Sequence, residues 1–481
     1  MSATEEQLAI IAEIQKESCD FLKVSACSGS GKTWTLVEIV KAIAPKQGLY
    51  MAYNKAIATE AAGKFPEEVE CLTTHKLAYR HTVIPCSLKV GSFGYRDVKV
   101  DIPYEYKLDV VAYIKMFCLS EHTSFIAYAN GLDIPKPIIT ICEDVLADMA
   151  SGDMTCTHEF YMKLFHILVV NGSVKLDQMD ILLLDEAGDL NPVTLEIFKA
   201  LPAKKKVMVG DPNQNIYSFN HTINGFEVMS NVGVQMYLSK SFRVSTYIAK
   251  LVEDFAKDTF DPDMRFKGTK HNDTTITTRA YITRTNGQMI ERMMELNRTG
   301  TPYALVRKVK SIFALPLALI SLKRGVFIKD PTLKFLQHDT EDYYRSSRLQ
   351  KEFDTPLKYI MHAHRDNPTV KTAVSMLMKH GPRELLETQA KAIAHEHSKA
   401  GRNLVLCTSH SSKGLEFDSV EIGIDTTQIV DKIMVKHRDS WTSEEVEELR
   451  LFYVAVTRAR KDLVGATSLD KYIPEDITRY L

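Results

Sequence analysis

Residues 26–33 read ACSGSGKT, preceded by FLKVS and followed by WTLVEIVKAIA. The order is an apolar strand, a loop with two glycines, then Lys-Thr opening a helix. Such a loop turns backbone N–H groups and the positive end of a helix dipole toward an anion. It predicts a phosphate cradle made by Ser28, Gly29, Ser30 and Gly31, with Lys32 neutralising β- and γ-phosphates and Thr33 ligating Mg²⁺. Ala26 stands where the simplest pattern has glycine, which the end of a strand tolerates. The stretch sets the expected fold class, α/β.

Working outward, GLYMAY (48–53), ILLLDEA (181–187) and KVMVGD (206–211) are further short apolar runs separated by helical stretches. This alternation predicts a parallel sheet. Asp185 ends one run, where it can hold a metal ion. Glu186, the next residue, can accept a proton from an attacking water. Asn54-Lys55 is followed by Ala56-Ile57, so no guanine-reading Asn-Lys-x-Asp is present there and ATP is favoured over GTP. Phosphoryl transfer also gains from a cation delivered by a second domain; Arg243 in KSFRVS and Arg458 in YVAVTRAR are candidates.

Between Arg80 and about Val170 the texture becomes turn-rich, then moderately helical, and reads as an insertion. A second strand–helix group begins near Tyr237. There YALVRK, NLVLCTS and SVEIGID are predicted strands, while FRVSTYIAKLVEDFA and LRLFYVAVTRARKDL are predicted helices. Residues 330–401 are charged, His-rich and helical. The expected organisation is a first core of 1–80 with 171–240, an insertion at 81–170, a second core of 241–329 with 402–481, and a reduced insertion at 330–401. The histidines of MHAHRDNP and AHEHSKAG read as solvated helix faces.

Bulk properties narrow the class. A chain of 481 residues is too long for one core. Its formal net charge of −1 leaves polyanion binding to a local groove. Eight scattered cysteines without a CxxC pair predict reduced thiols and no structural zinc. The acidic N-terminus is not a signal peptide, and SIFALPLALISL, broken by Pro316, is too short to span a membrane.

Taken in order, ACSGSGKT, YNKAIATEA, TTHKLAYR, LLLDEAGDLNP, VGDPNQNIYSF, LSKSFRVS, CTSHSSKGLEFDSV and ELRLFYVAVTRAR resemble the UvrD/Rep-like helicases of superfamily 1. YNKAIATEAAGKFPEEVECLTTHKLAYR and CTHEFYMKLF look closest to the F-box DNA helicase group, here without an F-box region. The resemblance implies two RecA-like P-loop domains, each with a mainly helical insertion. It implies that Gln7 reads adenine, that Gln214 senses the γ-phosphate, that Arg243 and Arg458 are arginine fingers and that Glu416 faces the nucleotide sugar and phosphates. Trp34 and Phe242 take the positions flanking adenine.

Tyr53, His75, Tyr217, Phe219 and His410 take the strand-binding positions, with Ala52 as the alternative register for Tyr53. Aromatic faces suit a motor that grips any base. Gly188 stands where the family usually carries glutamine, which removes one polar link from ATP. The implied activity is an ATP- and Mg²⁺-dependent single-stranded DNA translocase and helicase, moving 3′ to 5′, in replication, recombination or repair. Its implied partners are single strands, single/double-strand junctions and replication or recombination proteins. A monomeric motor in a bacterial or phage-infected cytosol is expected, without a membrane. The alternative is a translocase that strips recombinases or other proteins from single strands with little unwinding.

Overall fold

The strand that delivers the phosphate loop, β1 (Phe21–Ala26), lies inside a parallel sheet. The structure, a computed structural model, describes residues 3–216, 221–328, 330–365, 367–396 and 403–474. The chain divides into two units, 1–241 and 242–481.

In the first unit β1 is joined by β2 (Gly48–Ala52), β3 (Val69–Thr73), β4 (Met179–Leu184), β5 (Ala203–Gly210) and β6 (Val234–Leu238). The order across the sheet is β3-β2-β4-β5-β1-β6, all parallel. These strands are near-continuous apolar runs because both faces are covered. Alternation sorts them: Ile181 and Leu183 join Leu22, Val24 and Tyr50 in one core. Leu182 and Leu184 join Met51, Ile141, Phe160 and Phe165 in the other. The second core is therefore shared with the helices that interrupt the sheet between β3 and β4, chiefly Tyr104–Leu119, Lys136–Ser151 and His158–Val170.

The boundary between the units falls within β7 (Lys240–Ser245), which pairs with β8 (Lys267–Thr269). The second sheet holds β9 (Arg279–Thr283), β10 (Ala304–Leu305), β11 (Leu404–Thr408), β12 (Phe417–Ile422) and β13 (Ala459–Val464). Its order is β10-β11-β9-β12-β13, again parallel. Helices between β10 and β11 end in Pro368–Glu396, kinked at Gly381.

Two predicted helices are corrected. In FRVSTYIAKLVEDFA the first residues belong to β7, and the helix starts at Thr246, capped by the Ser245 hydroxyl. In LRLFYVAVTRARKDL the helix stops at Val456 and ARKDLV is β13. Both segments are amphipathic enough to read as helix, and the sheet overrides that preference. Among the described residues, no helix is long and apolar enough to cross a membrane.

Candidate functional site

The loop after β1 has Gly29 and Gly31 at φ 75° and 80°. These left-handed positions suit glycine and let the chain wrap before the helix Lys32–Ile43 begins. Ser28 and Ser30 are buried in it, and the Ser30 hydroxyl has no hydrogen-bonding partner among the described residues. An unsatisfied buried hydroxyl inside an N–H-lined loop fits an anionic ligand. Thr33 is half-buried and Trp34 is 39% exposed.

Lys32 Nζ donates to Glu186 Oε1 at 3.1 Å. Burial works against its charge, yet Glu186, Asp185 and Asp211 outweigh it and raise the lysine's pKa, so the ammonium persists. Asp185 follows directly on β4 and is buried. Its Oδ2 accepts from the Tyr50 hydroxyl at 2.5 Å and its Oδ1 from the Glu186 N–H at 2.8 Å. Burial, then the charge of Glu186, push the Asp185 carboxyl up, against Lys32 and those two donors. Three carboxylates around one ammonium leave surplus negative charge on hard oxygen donors, which fits a divalent ion such as Mg²⁺.

Gln214 lies in a 3₁₀ turn after β5, and its Nε2 donates to Asp211 Oδ2 at 2.8 Å. Gly188 is a steric requirement. A Cβ there would lie 2.2 Å from Asp211 O and 2.8 Å from its carbonyl carbon, so a glutamine has no room. Gln7 is buried in a capping box with Thr4; its Oε1 accepts from Thr4 N and its Nε2 donates to Thr35 Oγ1 at 3.2 Å. It therefore sits one residue from Trp34, at the start of the phosphate-loop helix.

The strand-binding candidates of this unit follow the same carboxyl edge. Ala52 is buried in β2, whereas Tyr53, just beyond it, is 51% exposed. Tyr53 lines an open cleft of about 580 Å³ with Lys115, Met116, Glu159, Asn191 and His221. His75, after β3, meets Tyr161 edge-on at 6.1 Å between ring centroids. Tyr217 and Phe219 lie outside the described residues, immediately before His221.

In the second unit Arg243 Nε and Glu416 Oε2 are 2.5 Å apart, so two residues assigned to the nucleotide are paired with each other. Phe242 precedes Arg243 on β7 and is half-buried. Arg458 donates to Val454 O, Leu415 O and Thr457 Oγ1. His410 follows β11, while Glu416 precedes β12. The segment 409–416 thus carries the chain from the carboxyl end of one parallel strand to the amino end of another. His410 and Glu416 accordingly lie at opposite edges of the second sheet.

Sequence reading missed Tyr50, Asp211, Thr35 and Glu6, whose carboxylate accepts from Ser239 N and Oγ. The only signal for Tyr50 was a hydroxyl within an otherwise apolar strand.

Residues 7–220 match the AAA domain family, and residues 367–468 match the UvrD-like helicase C-terminal domain family. F-box DNA helicase protein 1 of Schizosaccharomyces pombe is 26% identical over 97% of this chain and 58% of its own length. F-box DNA helicase 1 of Gallus gallus is 24% identical over 94% of this chain and 48% of its own. The chain therefore spans about half the length of these relatives. With the phosphate loop, the adjacent carboxylates and both family matches in chain order, the chain belongs to the UvrD-like helicases of superfamily 1.

Proposed function

We propose that the chain is an ATP-driven motor on single-stranded DNA that moves 3′ to 5′ and opens duplexes at single/double-strand junctions. The observation that carries this reading is a shared edge. The Lys32–Glu186–Asp185 cluster and the exposed Tyr53 beside its cleft lie at the carboxyl ends of strands in one parallel sheet, the edge where such sheets bind ligands. The names of the two F-box DNA helicases support DNA as the substrate.

The chemistry follows from the resting contacts. Lys32 is bonded to the residue assigned as general base. Arrival of a γ-phosphate gives the ammonium a stronger anionic partner and releases Glu186 to take a proton from water. Ser30 gains a partner for its hydroxyl. Thr33 and Asp185 hold Mg²⁺, which polarises the phosphoryl oxygens when bound. Gln214, on its Asp211 tether, senses the γ-phosphate. Arg243 and Arg458 stabilise charge as it develops, with Arg243 exchanging Glu416 for phosphate. Gln7 reads adenine, and Trp34 and Phe242 flank the base. Tyr53, His75, Tyr217, Phe219 and His410 contact the strand.

Steady-state ATPase measured with and without single-stranded DNA tests this. Strong stimulation is expected, with Lys32→Ala lowering turnover by about 100-fold or more. An ATPase indifferent to single strands would refute the motor. Tailed duplexes then decide polarity.

A further inference from the structure

We propose that Tyr50 is a positioning residue of the nucleotide site, holding the Asp185 carboxylate in the orientation that receives the metal ion. The inference rests on reading the site as one for ATP and Mg²⁺.

Period-two alternation puts Tyr50 there. It pairs in register with Leu183 of β4, and both point into the same core. Asp185, two residues beyond Leu183, therefore lies on that face, and its N–H donates to Met51 O to keep β2 and β4 in step. The Tyr50 ring is fully buried and tilted against Phe65 at 5.0 Å between centroids. That packing leaves the hydroxyl little choice of direction. It meets Asp185 Oδ2, while the Glu186 N–H holds Oδ1. Two donors on separate oxygens resist rotation of the carboxylate about its Cβ–Cγ bond, and each oxygen keeps a lone pair for a further partner.

Lys32, the nearest cation, is bonded to Glu186, so it does not supply this restraint. A donor that orients a metal-binding carboxylate typically changes metal affinity by 10- to 100-fold when removed.

Tyr50→Phe removes the hydroxyl and keeps the ring. Binding of a fluorescent ATP analogue is titrated with MgCl₂, and repeated in EDTA. The expected result is a Mg²⁺ midpoint raised by about tenfold, with binding in EDTA within about twofold of wild type and full affinity regained at high Mg²⁺. A midpoint unchanged within about twofold overturns the proposal. A raised midpoint accompanied by an equal loss of binding in EDTA assigns the effect to general damage of the site and also overturns it. If the wild-type chain shows no Mg²⁺-dependent nucleotide binding, the underlying reading of the site has failed instead.

Discussion

Glu186 has φ 54°, a left-handed conformation that costs a non-glycine residue about 1–2 kcal/mol. The turn around it is pinned from three sides. Its N–H goes to Asp185 Oδ1, Ala187 N to Val209 O, and Asp189 N to Glu186 O. The candidate base therefore stands on backbone that its neighbours over-determine, as strained functional residues commonly do. Gly188 belongs to the same turn, and it carries a prediction. Because a Cβ would meet backbone atoms of Asp211, Gly188→Gln should destabilise the fold by about 3 kcal/mol. It should also displace Asp211 from Gln214. Thermal unfolding checks this; wild-type stability in Gly188→Gln would show that the turn yields. The change does not measure coupling alone, since it rebuilds the loop that carries Asp211 and Gln214. Lys32, Asp185 and Glu186 were legible because spacing along the chain encodes them. Tyr50 was not, because its contact depends on the β2–β4 register.

Among elements, β1, β2, β4 and β5 were legible as buried apolar runs of the right length. β3, β6 and β9 escaped notice: VECLT and VQMYL are edge strands that mix polar with apolar residues, while RAYIT, central and buried, is short and opens on Arg279. ARKDLV reads as a continuation of the preceding helix until pairing with β12 makes it a strand. One junction between elements was invisible from composition. Glu6, on the helix Glu5–Gln15, accepts from both the N–H and hydroxyl of Ser239, just past β6. Two bonds to a partly exposed carboxylate contribute about 1–2 kcal/mol. Glu6→Ala should lower the unfolding free energy by that amount in urea titrations. A loss below about 0.3 kcal/mol would mean that water serves Ser239 equally well.

At the largest scale, the response to acid sums over the buried groups of each unit, and His166 belongs to the first. His166 is 1% exposed. Burial, then the charges of Lys163 and Lys199, hold its imidazole down at about 4. In the unfolded chain a histidine titrates near about 6.5. Above that value both states are neutral and nothing is gained or lost. As pH falls from about 6.5 toward 4, the unfolded chain takes up a proton that the folded one refuses, so stability declines through this window. His166→Leu should reduce the drop in Tm between pH 7 and pH 5 by about 2–4 °C. An identical drop in the variant would show that other groups set the acid limit.

The exit of the chain from its first unit has a mechanical meaning. Leu238 O receives the N–H of Cys27, the first residue of the phosphate loop, and Ser239 is gripped by Glu6, the neighbour of Gln7. The boundary with the second unit follows two residues later. These two anchors tie the chain down beside the loop after β1 and on the first helix, just before it leaves the first unit. The way out of the first unit and its candidate phosphate site therefore share hydrogen bonds, so a change at one end of this junction would be met at the other.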